Sequence, residues 1–405
     1  MFRRLLALLL VAMLLPAAAC SNQRNAPADN PQDPDDFDLE EPAPDDSEDD
    51  EANADDDDQA DADTPDEPDP EPDPPRDPVE WEASIVATGL AAPWDLTVTP
   101  GDRVFLTERD SGRVGEYVDG RTRRLRQFPV DNAGEGGLLG IAHSPNFAQD
   151  NLLYVYYTTE EDNRIVRFDP DNPAELDLVF EGIPQSRIHN GGRIDFGPDG
   201  MLYVGTGDAA RPALAQDPDS LAGKILRMTP DGELPDDNPT AGSFVYSMGH
   251  RNVQGLAWDS QGRLFATEFG PNENDEVNRI LPGNNYGWPE VTGQANQEGF
   301  TDPIFVQQPP DASWSGLTAS VQGAIPQWDD NLLIASLRGQ RVWRLALNEE
   351  GTEVVESEAL FVREWGRLRA AVQAGDGSIW VLSNNRDGRG TPREGDDHIY
   401  RLGPQ

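Results

Sequence analysis

Three stretches of this 405-residue chain crowd together side chains able to do chemistry. In Arg187-Ile188-His189-Asn190-Gly191-Gly192-Arg193, a histidine precedes two glycines. A tight turn there can expose the imidazole, the side chain best suited to accept a proton near neutral pH. The plainer alternative is a loop histidine bonded to backbone. In Gly249-His250-Arg251-Asn252-Val253-Gln254-Gly255-Leu256, four hydrogen-bonding side chains fall within five positions, just before an apolar run. That is costly unless they face one another or a polar ligand. Arg251 offers a planar fork for a carboxylate or quinone oxygen, and a buried network tying elements together explains the stretch equally well. The third stretch, Thr267 to Glu276 followed by Asn284-Asn285-Tyr286-Gly287-Trp288-Pro289, sets a Gly-Pro turn beside carboxylates and amides. Backbone carbonyls and hard oxygens suit calcium better than zinc, which four His and one Cys in the whole chain supply poorly. A solvated acidic loop is the alternative.

The elements around these stretches repeat. Asp102 to Leu106, Asn151 to Val155, Gly200 to Val204, Gly262 to Ala266, Asn331 to Ala335 and Gly377 to Val381 share one shape, a polar turn running into an apolar strand. Each copy follows a run of small or apolar residues such as Gly192 to Phe196. Most precede a third run, such as Arg164 to Phe168, Lys224 to Met228 or Arg341 to Leu345. Strand, turn, strand, loop, strand, recurring six times at 46 to 69 residues, predicts an all-β fold, a six-bladed β-propeller over residues 81–405. About 54 residues per blade suits four strands and their loops. A β-sandwich would explain the strands but not the six-fold recurrence. Loops from several blades meet at one end of a propeller's channel, which is where the chemistry belongs.

Charge divides the chain differently. Residues 21–80 hold 26 Asp and Glu against two Arg, and all nine Trp and all eight Tyr lie beyond position 80. Such a segment cannot bury enough apolar surface to offset the entropy of ordering it, so a disordered acidic linker is expected, extended by Pro and by charge repulsion. Residues 81–405 still carry −22 of the chain's −44. That field repels phosphate backbones and excludes nucleic acid as a partner. Residues 1–20 read as an export signal, with Arg3 and Arg4 before the apolar run Leu5 to Leu15. Leu15-Pro16-Ala17-Ala18-Ala19-Cys20 resembles a bacterial lipobox, which predicts a lipid anchor at Cys20, the only cysteine, as the sole membrane attachment. An ordinary secretory signal cleaved near Ala19 is the alternative. Either one takes the protein out of the cytoplasm.

In order along the chain, His189-Asn-Gly-Gly-Arg, Leu221-Ala-Gly-Lys-Ile-Leu-Arg, Gly249-His-Arg-Asn-Val-Gln-Gly-Leu, Glu268-Phe-Gly-Pro-Asn and Asn285-Tyr-Gly-Trp-Pro resemble the glucose/sorbosone dehydrogenase family, the soluble sugar dehydrogenases that use pyrroloquinoline quinone (PQQ). Pro93-Trp94-Asp95 and Gly136 to Gly140 fit too, so the resemblance spans roughly residues 84–402. It implies a quinone over the channel with calcium beneath it, oxidation of an aldose at C1, and electrons passed to an external acceptor. His189 would be the general base. Arg251 and Asn252 would contact the cofactor, Arg251 stabilising charge on the reduced quinone. The carbonyls of Gly270 and Pro271 would hold the catalytic calcium, and Asp275, Glu276 and Tyr286 a further structural one. Arg367 and Arg369 would grip the cofactor's acidic edge. Arg338 stands where members usually have Lys. Glu135 falls at a cofactor-contacting position where glucose-oxidising members carry Gln, and its charge opposes a cofactor bearing three carboxylates, which counts against glucose more than against the quinone. Two other functions fit six blades, a non-enzymatic ligand-binding propeller and a calcium-centred lactonase-type propeller. The sugar, the acceptor and the oligomeric state are left open.

Overall fold

The computed structural model describes residues 76–405. The export signal, Cys20 and the acidic linker up to residue 75 lie outside the described residues. Six four-stranded antiparallel sheets follow one another along the chain. All six copies of the apolar motif become the second strand of a blade: Val104–Glu108, Leu153–Thr158, Leu202–Gly205, Leu264–Glu268, Leu332–Ser336 and Ile379–Ser383. Five of these strands are buried along their whole length and Ile379–Ser383 everywhere but Trp380, because neighbouring blades cover both faces of each sheet, so their sequences are apolar runs rather than alternations. Outer strands differ. Arg121–Gln127 and Val354–Leu360 are largely exposed and carry charges, which protects these open edges from pairing with other chains.

The innermost strands, Pro93–Val98, Leu138–His143, Ile194–Phe196, Val253–Trp258, Trp314–Ala319 and Leu368–Gln373, surround the axis, each touching the next and the last touching the first. Packing six strands around one axis demands small residues. A Cβ on Gly255 would lie 2.6 Å from the Ser315 carbonyl oxygen, and one on Gly316 would lie 2.6 Å from the Ala370 Cα.

The ring is closed by a strand that belongs to no repeat. Trp81–Ala87 pairs with Ile399–Pro404 as the outermost strand of the last blade. Trp81 packs against Trp328 at 4.7 Å and Phe361 at 6.2 Å between ring centroids. The Arg76 guanidinium pairs with Asp329, and Val79 exchanges backbone hydrogen bonds with the Gln327 side chain, so residues 76–80 join the propeller. Trp81→Ala is expected to cost about 2 kcal/mol, since a half-buried ring loses part of a core aromatic's contacts and the loss unlatches both chain ends. A denaturant midpoint against wild type measures it. Among the described residues, no helix is long and apolar enough to cross a membrane.

Candidate active site

His189 sits on the loop entering the third blade, next to Asn190 and Gly191 of the channel mouth, with φ of +59°, a left-handed conformation uncommon outside glycine. Two side chains from other loops hold it there. Glu135 accepts its backbone N–H at 2.9 Å, and Asp208 Oδ1 lies 2.8 Å from the ring Nδ1. Asp208 is fully buried. It also accepts the Ala210 amide and, through Oδ2, the indole N–H of Trp288 at 2.8 Å. With the Ala210 and Trp288 N–H groups already donating to it, this acceptor faces the ring at Nδ1, which places the imidazole proton on that nitrogen. The ring's Nε2 is buried and has no partner within the protein. A bare, oriented Nε2 is a proton acceptor waiting for a donor.

The mouth beside it opens between Trp94, Glu135, Asn190, Gln254, Leu337 and Arg369, with Arg109, Arg389 and Asp387 on its walls. Arg369 is 7% exposed, donates to Gln254 Oε1 at 3.0 Å and leaves its Nε unpartnered. Burial, then the nearby Arg109 and Arg367 cations, push it down to about 9, so an anion in the mouth would relieve it. Arg367 is anchored by Asp387 at 2.8 Å. Trp94 forms part of the floor, flanked by Arg193 at 4.5 Å and Arg369 at 5.6 Å from its ring, with Arg193 paired to Asp95 beneath. Glu135, suspected of repelling an acidic ligand, spends one oxygen on His189 and has Arg389 3.7 Å from the other. Arg338 is exposed, next to Leu337 on the rim.

A smaller cleft adjoins the mouth across Phe269, lined by Arg251, Glu268, Gly270, Pro271, Glu276 and Trp288 among others. Arg251 donates to the Phe269 carbonyl at 3.2 Å, lies 5.4 Å from the Trp288 ring, and leaves its Nε unpartnered. Asn252 accepts the Gly191 N–H at 3.0 Å and also leaves its Nδ2 unpartnered. Burial, then the charge of Glu268, push the Glu276 carboxyl up to about 8. Beside the turn carrying the Gly270 and Pro271 carbonyls, this oxygen-only donor set suits a hard cation. Asp275 stands behind the turn, accepting the N–H groups of Gly270 and Ser313. Tyr286 donates its hydroxyl to the Arg279 carbonyl and stacks on His250, whose ring reaches Ser247 and Glu268. Among the described residues, no three His, Cys, Asp or Glu side chains gather as a metal cluster.

Glu135 and Arg369 therefore line the mouth and Arg251, Gly270, Pro271 and Glu276 the cleft beside it, while His189, Asn252 and Arg367 join them through Glu135, Gly191 and Asp387. Sequence reasoning missed Asp208, Arg109 and Arg389, and it placed Gln254 and Trp94 in motifs without giving either a role. Asp208 had one legible signal, Thr206-Gly207-Asp208 directly after the third motif copy, where Gly207 lets the His189 carbonyl approach closer than any Cβ would allow.

Fold and mouth together define a propeller that holds an oriented imidazole with one unpartnered nitrogen and a set of half-satisfied cations at one mouth. More particularly, the chain belongs to the glucose/sorbosone dehydrogenase family, whose sequence profile matches residues 90–398. It is similar to the PQQ-bound aldose sugar dehydrogenase of Streptomyces coelicolor, with 46% identity over 82% of this chain and 99% of that one and a TM-score of 0.74. It is 29% identical to the aldose sugar dehydrogenase of Escherichia coli (strain K12), over 77% of this chain and 92% of that protein. With quinoprotein glucose dehydrogenase B of Acinetobacter calcoaceticus it shares 31% identity over 54% of this chain, spanning 55% of that protein's length.

Proposed function

We propose that this protein is a PQQ-dependent aldose dehydrogenase that oxidises the sugar at C1 to the lactone. The carrying observation is His189, whose Nε2 is buried and bare while Asp208 fixes the other nitrogen. When bound, the quinone would take up the hydride from C1. His189 would accept the anomeric hydroxyl proton at Nε2, leaving an imidazolium that Asp208 stabilises at 2.8 Å. The residues present fit that cofactor. The unpartnered Nε atoms of Arg251 and Arg369 and the Nδ2 of Asn252 are buried donors without acceptors, as a ligand bearing carboxylates and carbonyls requires. Arg367 and the rim residue Arg338 add positive charge. Gly270 and Pro271, with Glu276 nearby, would hold calcium, a Lewis acid toward a quinone oxygen. The similarity to a PQQ-bound aldose sugar dehydrogenase supports the same reading. Electrons would leave to an external acceptor, outside the cytoplasm, on a protein anchored through Cys20.

The test is reconstitution. Protein treated with chelator, then given PQQ and calcium, should take up the cofactor's absorbance and reduce a dye when an aldose is added. No uptake at micromolar PQQ would sink the dehydrogenase reading in favour of a ligand-binding propeller. Within the reconstituted enzyme, Asp208→Asn should lower turnover about 10²-fold or more, because an amide can no longer hold the imidazole proton on Nδ1 or stabilise the imidazolium. Steady-state dye reduction at saturating sugar measures that loss.

A further inference from the structure

Lys224 is the only lysine among 31 basic side chains, and it is fully buried. Its ammonium donates to three backbone carbonyls, Leu214 at 2.7 Å, Ala215 at 2.9 Å and Ala222 at 2.7 Å. An ammonium has three N–H donors, so the cage satisfies it fully. A guanidinium spreads its donors in one plane and could not meet three carbonyls gathered about a point. Leu214 and Ala215 close the short turn Pro212–Ala215, where outward-facing carbonyls favour a cation.

The caged loop, residues 206–223, is the one that carries Asp208. Its ends are pinned together, Thr206 N–H to the Lys224 carbonyl at 2.9 Å and Gly223 N–H to the Gly207 carbonyl at 2.8 Å. Between them the backbone is strained. Ala209 and Ala210, directly after Asp208, have φ of +52° and +55° and must be held by their surroundings. The Ala215 carbonyl also accepts the Gly249 N–H at 3.1 Å, two residues before Arg251. The neighbouring Gln216 donates to the Trp288 carbonyl at 2.7 Å, and the Trp288 indole in turn reaches Asp208. One buried ammonium thus ties down the segment from which Asp208, Trp288 and the Arg251 loop are arranged.

We propose that Lys224 is a positioning residue. Its caged ammonium holds the 206–223 loop so that Asp208 keeps the His189 proton on Nδ1 and leaves Nε2 bare. The proposal rests on His189 being the base described above, but its first readout needs neither cofactor nor sugar.

That readout is the ring-nitrogen spectrum of ¹⁵N-histidine-labelled protein at neutral pH. Wild type should show His189 as one tautomer protonated on Nδ1. Lys224→Met should show mixed tautomers at His189, as Asp208→Asn should, with the His143 and His398 signals unchanged. In reconstituted enzyme its turnover should fall at least about 10-fold, with KM within about 3-fold. Lys224→Ala supplied with ethylammonium, which can refill the cage, should recover the single tautomer. A wild-type His189 spectrum in folded Lys224→Met overturns the proposal. So does a Lys224→Ala protein that recovers its fold with the amine but not the tautomer, or variants that never fold, since the ammonium would then serve the core rather than the site. Should wild type oxidise no sugar, the tautomer result still decides this proposal separately.

Discussion

Replacing His189 by Asn should cut sugar-dependent turnover by about 10²- to 10⁴-fold, the usual contribution of a positioned general base. Uptake of PQQ should change little. Asn is the informative substitution because it tolerates the left-handed backbone that His189 adopts at φ of +59°. Its main-chain N–H can still reach Glu135, so the loop keeps its shape. What disappears is the bare Nε2. The cofactor's expected partners, Arg251, Asn252 and Arg369, come from other segments and are untouched. The two measurements should therefore separate, with absorbance on adding PQQ close to wild type and dye reduction lost. Turnover within about 5-fold of wild type would remove His189 from the chemistry and leave its buried nitrogen without a purpose.

The six blades were legible because a strand covered on both faces has little freedom of composition. Leu153–Thr158 and Leu332–Ser336 are buried throughout, so the same apolar run reappears wherever the architecture puts a second strand. The closing strand was not legible. Trp81–Ala87 finds its partner more than 300 residues away at Ile399–Pro404, and nothing local announces a pairing of that range. The site divides in the same manner. His189 and Arg251 lie in stretches whose residue types are unusual by themselves, so they could be singled out before any fold was known. Asp208 follows a glycine and resembles any turn carboxylate; its role comes from contacts to His189 and to Trp288, 80 positions on, which only the folded chain creates. Glu135 shows the converse. As a charge in sequence it opposed the cofactor, whereas in three dimensions it braces the His189 backbone and faces Arg389.

Arg369→Met should weaken PQQ binding by about 2–5 kcal/mol, roughly 30- to 5,000-fold, without destabilising the protein that lacks cofactor. The two effects have one cause. Arg369 is buried at the mouth with its Nε unsatisfied, beside Arg109 and Arg367, and with only Gln254 and Ser315 as hydrogen-bond acceptors. A desolvated cation among cations is a cost to the empty fold, and methionine of similar length removes that cost while still packing against Trp94. The bound state is the opposite case. A carboxylate reaching the mouth satisfies the free donor and neutralises the local charge, and both gains are lost with the side chain. An arginine serving only as a structural tie would behave the other way, its loss lowering the thermal midpoint of the empty protein and leaving PQQ affinity alone. Titration with PQQ and a melting curve on the same preparation distinguish the two.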